Sequence, residues 1–155
     1  MDERPPGLRA VEPALTQYLE RLQQRFNLAA VVVIGSRARG DHWQHSDLDL
    51  LVVSPDFAAV PRPFERIGLL LEGWQGPVAL EPIGLTREEL ARCEGLLTWD
   101  ALEDGIPLLD TGVFAETKRT FEEWKARGYL QRIPKGWKYN PQVLEALLRR
   151  KDPLK

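Results

Sequence analysis

Cysteine is nearly absent: it occurs once in 155 residues, at position 93. One thiol excludes an internal disulfide and a cysteine-based zinc cage, and Cys93 reads as a small buried apolar side chain. Positive charge is also short. The 21 Lys and Arg stand against 23 Asp and Glu, giving a formal charge of −2 and a pI of about 5.8, whereas a domain that wraps nucleic acid shows a basic face. Extensive nucleic-acid binding is therefore excluded, and any phosphate contact must be local. No apolar run reaches the ~18 residues that span a bilayer. The opening MDERPPGLRA is charged and Pro-rich, without the apolar stretch of a secretory signal. The expectation is a soluble, cytoplasmic protein with no membrane association.

With 43% hydrophobic residues, the chain is long enough to bury one core and too short to expect two. A single domain over residues 1–155 is expected. Val11, Leu15, Tyr18, Leu19, Leu22 and Phe26 recur at helical spacing, with Pro13 suited to the first turn. Leu28 to Ile34 is a short Val-rich run ending at a glycine, the pattern of a strand covered on both faces. Asp47 to Val53 and Val78 to Leu85 read as two further strands. Between them Phe64, Ile67, Leu71 and Trp74 mark the apolar side of a helix that Gly76-Pro77 ends. Thr86-Arg87-Glu88-Glu89 has the form of a capping box, and Leu97 to Glu103 a short helix closed by Gly105. Val113, Phe114, Phe121 and Trp124 mark a longer helix, and Pro141 to Arg150 a last one with Val143, Leu144, Leu147 and Leu148 on its apolar side. Trp43 alone among the tryptophans sits in a charged loop; the others are expected to pack.

Between the apolar runs LAAVVVI and LLVV stands GSRARGDHWQHSDLDL, residues 35–50. Gly35 and Gly40 have the glycine spacing of a Walker A loop, but Asp41 and His42 occupy its Lys and Ser/Thr positions. No G-x-G-x-x-G occurs either, so a P-loop and a Rossmann dinucleotide loop are both excluded. What remains is a Gly-Ser at a strand end, a basic turn, and an Asp-x-Asp that opens the next strand. A glycine there lets the backbone approach a ligand. Ser36 offers its hydroxyl and N–H as an anion site, and Arg37 and Arg39 add charge suited to phosphate. Residues two apart on a strand share a face, so Asp47 and Asp49 project together while Leu48 and Leu50 point into the core. Two carboxylates held that close repel unless a cation lies between them. Oxygen ligands beside a phosphate site suit Mg²⁺. His42 and His45 lack the helical H-E-x-x-H setting of a zinc site and read as loop-surface residues.

Gly35-Ser36, ten residues, then Asp47-x-Asp49 resembles the active-site signature of the DNA polymerase beta-like nucleotidyltransferases. GSRARG followed by SDLDLLVV resembles in particular the minimal nucleotidyltransferases. The likeness covers roughly residues 28–110 as a catalytic core and leaves 111–155 as a C-terminal helical segment. It implies an α/β (α+β) fold, a small mixed β-sheet flanked by helices. It also implies a third carboxylate on a later strand, which in VALEPIGLT is Glu81, where Asp is usual. Pro82 beside it removes a ladder N–H and implies an edge or irregular strand.

What the resemblance implies chemically is attack of an acceptor hydroxyl on the α-phosphorus of a nucleoside triphosphate, ATP above all, with pyrophosphate leaving. Asp47, Asp49 and Glu81 would hold two Mg²⁺ ions, or Mn²⁺, that stabilise the entering and leaving oxygens. Glu81 would also take the acceptor proton, while Gly35, Ser36, Arg37 and Arg39 bind the triphosphate. A partner is implied as well. Minimal nucleotidyltransferases pair as antitoxins with helical HEPN ribonuclease toxins, and some transfer AMP to a toxin tyrosine. The 45 residues beyond the core are expected to be too few for a separate acceptor domain, which suits an acceptor brought by the partner. Two other readings stay open: a non-catalytic binding subunit of the same fold, and a small-molecule nucleotidyltransferase acting on aminoglycosides, for which a homo-oligomer would help to build the acceptor pocket.

Overall fold

The computed structural model describes residues 5–151, with side chains described as far as residue 149; residues 1–4 of the charged opening and 152–155 lie outside the described residues. A 3-10 turn at Pro6–Leu8 leads into helix α1 (Glu12–Arg25), strand β1 (Ala30–Ile34) and the single-turn helix α2 (Ser36–Arg39). Strand β2 (Leu48–Val53), helix α3 (Pro63–Leu71) and strand β3 (Leu80–Leu85) follow. Then come α4 (Arg87–Ala91), α5 (Leu96–Asp104), β4 (Ile106–Asp110), α6 (Val113–Ala126), β5 (Leu130–Ile133), β6 (Gly136–Tyr139) and α7 (Pro141–Lys151).

Four strands form one mixed sheet in the order β3-β2-β1-β4, with β1 antiparallel to β2 and β4, and β2 parallel to β3. Antiparallel β1 and β2 are joined by the motif loop, while the parallel pair needs a crossover, which α3 supplies. The centre is where the Val-rich runs belong, because strands covered on both faces lose water from every side chain. One face buries Val31, Val33, Leu48, Leu50 and Val52 against Tyr18 and Leu22 of α1 and Leu70 of α3. The other buries Val32, Ile34, Leu51 and Val53 against Trp99, Leu102, Phe121 and Trp124. Both edge strands carry a proline, Pro82 in β3 and Pro107 in β4, which interrupts the row of ladder donors that an open edge would present. The edge position expected for the Glu81-Pro82 strand is the one observed.

The helix over 63–71 forms, but its buried side is not the expected one. Phe64 is 83% exposed and Leu71 44%, whereas Arg66 and Leu70 are buried, and Trp74 lies past the helix end against Tyr18. The reason is hydrogen bonding. The Arg66 guanidinium donates to the carbonyls of Val60, Gly84 and Phe57 and to the Glu89 carboxylate, so its burial leaves it well satisfied. Glu89 in turn closes the expected capping box with Thr86. The C-terminal segment is not wholly helical either: β5 and β6 pair as an antiparallel hairpin, and its Trp137 packs on Trp99 and Phe121. Strand β4, unanticipated from the sequence, is held at the sheet edge, and its last residue, Asp110, accepts from the N–H groups of Gly112, Phe114 and Ala115 at the start of α6. Among the described residues no helix is long and apolar enough to cross a membrane.

Candidate active site

The motif loop leaves β1 at Gly35, whose φ of 75° and ψ of −155° favour glycine. A Cβ there would also fall 2.3 Å from Asp49 Oδ2, so glycine is required twice over, for conformation and for the closeness of the carboxylate. Ser36 opens α2, and Gly40 closes it in the left-handed region at φ 86°. The loop beyond is tied to itself: Trp43 N–H donates to Ser46 Oγ at 2.9 Å, and Ser46 N–H returns to the Trp43 carbonyl at 3.0 Å.

Arg37 and Arg39 are placed differently. The Arg37 side chain is fully buried and donates to the carbonyls of Ser46, Gly7 and Gln44 at 3.0, 2.9 and 3.3 Å. It braces the loop and the N-terminal 3-10 turn from inside, which corrects its expected place among the phosphate ligands. Arg39 is exposed, pairs with Asp41 at 3.0 Å, and lines the cavity beside the carboxylates. Its bond to Asp41, with the charges of Asp41, Asp104 and Asp100, holds the guanidinium firmly protonated.

The three carboxylates come together. Asp49 and Glu81 are register partners across the parallel β2–β3 pair, and Asp47 stands one residue before β2. Glu81 lies within hydrogen-bonding reach of Asp49 and Asp47, and hydrogen bonding to them, Asp49 first, pushes its pKa up to about 7. Burial raises Asp49 as well, helped by the Asp47 charge and opposed by the Glu81 hydrogen bond and Arg39. Three acidic side chains this close make a site with an excess of negative charge, and the raised values of Glu81 and Asp49 report it. Divalent cations fit it. Among the described residues no group of three His, Cys, Asp or Glu side chains is arranged to hold a metal ion by itself; Mg²⁺ takes only one or two carboxylates and completes its shell with substrate phosphate and water.

A cavity of about 480 Å³ opens over Asp49 and Glu81, lined by these two with Gly35 and Arg39, by an apolar wall that includes Ile67, Pro82 and Leu97, and by Asp100. Its size and mixed lining suit a nucleotide-sized ligand. Sequence reasoning missed Asp100, which belongs to no motif and reaches the cavity only because α5 packs on the carboxylate face of the sheet. Ile67 and Leu97 were legible as helix positions but not as cavity wall.

Residues 15–132 match the model of the nucleotidyltransferase domain. The chain belongs to that family. Among solved structures it is similar to a candidate nucleotidyltransferase from Sulfolobus solfataricus, 25% identical over 68% of this chain and 84% of that one, with a TM-score of 0.51. A toxin–antitoxin structure with AMP-PNP is 17% identical over 72% of this chain and 90% of that one, at a TM-score of 0.46. A variant of the toxin–antitoxin MntA-HpeT is 19% identical over 73% and 89%, at 0.44. The last two likenesses are too distant to bear on activity. No functionally curated protein matches the chain significantly. The nucleotidyltransferase domain thus carries its Gly-Ser turn and its three acidic positions at one end of the sheet, where the register of β2 and β3 sets two of the three.

Proposed function

We propose that this nucleotidyltransferase moves AMP from ATP to a hydroxyl group, and that the hydroxyl belongs to a tyrosine of a HEPN-type toxin partner, which the transfer silences. The observation that carries the catalytic half is the convergence of Asp47, Asp49 and Glu81 beside the Gly35 turn. Asp47, Asp49 and Glu81 are the residues that would hold Mg²⁺ or Mn²⁺. A metal bound there would supply charge neutralisation at the entering and leaving oxygens and a lowered pKa of the attacking hydroxyl. Glu81, in its ionised form, accepts the hydroxyl proton as the acceptor oxygen bonds to the α-phosphorus and the bond to the bridging oxygen of the β-phosphate breaks. Gly35 and Arg39, which line the cavity, would face the growing charge on pyrophosphate, with Ser36 next to them in the turn. Arg37 acts one step back, by fixing the loop that places Asp47.

The acceptor half is supported by the rim of the cavity. Leu97 is 50% exposed at the mouth, and Phe64 and Leu71 share a face of α3 with the cavity residue Ile67. Apolar side chains left in water, Leu97 beside the cavity and Phe64 and Leu71 on α3, suit a protein surface better than a highly polar antibiotic. The test is co-expression with the helical partner and mass spectrometry of that partner. An AMP adduct on a tyrosine in wild type, absent with Asp47→Asn, is the expected result. A tight complex without adduct in wild type would instead support a non-catalytic binding subunit, and adducts only on aminoglycosides would support the small-molecule enzyme.

A further inference from the structure

We propose that Asp100 is the residue by which this pocket recognises a ribose, its free carboxylate oxygen accepting hydrogen bonds from the vicinal hydroxyls of the nucleotide. The inference rests on the nucleotide-binding reading above and adds a residue that belongs to no family motif. Asp100 sits in the middle of α5 and lines the cavity with Gly35, Arg39, Asp49 and Glu81. A carboxylate facing a triphosphate is unfavourable unless it meets a donor. In a nucleotide whose phosphates lie on the Gly35 turn and whose base rests on the apolar wall of Ile67, Pro82 and Leu97, the donors between the two are the ribose hydroxyls.

The way Asp100 is held agrees with this. Trp137 Nε1 donates to Asp100 Oδ1 at 2.9 Å, and Arg132 Nη1 stands 3.8 Å from the same oxygen. Among the described residues both contacts fall on Oδ1, which leaves Oδ2 for a ligand. Both partners come from the β5–β6 hairpin, where Arg132 and Trp137 are paired in register and the guanidinium lies over the indole ring at 5.2 Å. The hairpin thereby acts as a clamp that fixes the rotamer of a cavity side chain from outside the motif region. Trp137 is a positioning residue: it is 8% exposed and touches the pocket only through Asp100. Arg132 also pairs with Asp104 at 3.3 Å, so the clamp is anchored at two successive turns of α5.

The experiment is titration calorimetry of the full chain with Mg-ATP, Mg-2′-deoxy-ATP, Mg-3′-deoxy-ATP and magnesium tripolyphosphate, for wild type, Asp100→Asn, Asp100→Ala and Trp137→Phe. Wild type is expected to bind ATP about 10- to 100-fold more tightly than at least one deoxy analogue, the scale of a hydrogen bond to a charged group. Asp100→Ala should bring ATP and both analogues to within about threefold of each other, with tripolyphosphate affinity unchanged or slightly improved. Trp137→Phe should fall between, because it frees the carboxylate without removing it. Tripolyphosphate binding also reports that each variant is folded. If wild type binds ATP yet treats all three nucleotides alike, or if Asp100→Ala keeps the full discrimination, the ribose assignment is wrong while the nucleotide reading stands. If wild type binds neither ATP nor tripolyphosphate, the nucleotide reading itself fails.

Discussion

Strand β3 ends in two charged clusters of opposite character. At its start Glu81 meets Asp49 and Asp47, three acidic groups of like charge whose closeness raises Glu81 and Asp49. At its end buried Arg66 meets Glu89 at 2.7 Å and three backbone carbonyls, an assembly in which opposite charges satisfy each other. The pKa shifts have opposite sign: Glu81 is raised to about 7, while hydrogen bonds from Thr86 and Arg66 outweigh burial and hold Glu89 below its ordinary value. One cluster stabilises the fold; the other stores repulsion that, in the proposed reaction, a bound cation would relieve. Charge density alone does not mark a functional site, and the sign of its frustration does.

The largest effect that should separate the two clusters is on activity. Asp47→Asn or Asp49→Asn should lower nucleotidyl transfer by about 10³-fold or more, the scale on which removal of a principal electrostatic group acts. Glu89→Gln should leave the rate per folded molecule within a few fold. An assay of labelled AMP transfer reads both. Next comes stability: Arg66→Ala should cost about 3 kcal/mol, since it strands a carboxylate and the buried carbonyls of Gly84 and Phe57. Denaturant unfolding measures it, and a cost below about 1 kcal/mol would mean that water replaces the guanidinium.

A smaller effect has the reverse sign. Asp49→Asn removes repulsion from the metal-free trio, so it should raise the melting temperature in EDTA by about 2–4 °C, corresponding to about 1 kcal/mol. Excess Mg²⁺ should erase the gain. A lower melting temperature in EDTA would make Asp49 a structural residue.

The smallest effect is the pH dependence, and it sharpens the contrast most. The folded pKa of Glu81 lies above its ordinary 4.5, so as pH rises from about 4.5 to about 7 the unfolded chain ionises first and the metal-free fold loses stability, with the loss complete above that window. Glu89 has its folded value below 4.5, so its contribution is present above that pH and disappears as pH falls through the folded value. Both groups contact water, which limits each effect to the order of 1 kcal/mol. Melting curves from pH 4 to 8 in EDTA should lose the decline toward neutrality with Glu81→Gln and part of the acid loss with Glu89→Gln.

The parts of this molecule that were legible in the sequence are those where local pattern and tertiary demand agree. Helix α1, strands β1 and β2, the Thr86 capping box and the edge position of the Glu81-Pro82 strand all follow from spacing, β-branched runs or proline chemistry. The failures have separate causes. Strand β4 was lost because Pro107 interrupts a five-residue run whose pairing is wholly non-local, and the β5–β6 hairpin because four-residue strands around Pro134-Lys135-Gly136 read as loop. Arg37 was misjudged, and Arg66 passed over, for one shared reason. An arginine reads as surface, yet each is buried where backbone carbonyls converge, and that convergence is a property of the fold. In the candidate site, the Gly-Ser turn and the aspartate pair were visible as a motif and Glu81 through a family resemblance, while Asp100 was invisible because only the packing of α5 and the hairpin brings it to the cavity.

Metal-linked nucleotide binding at the carboxylate trio is the property from which the proposed activity follows. Titration calorimetry of wild type and Asp49→Asn with ATP, in Mg²⁺ and in EDTA, tests it in one set. Wild type should bind ATP in Mg²⁺ and lose most of that affinity in EDTA, and Asp49→Asn should bind weakly in both. Equal affinity with and without metal, or binding untouched by Asp49→Asn, would contradict it.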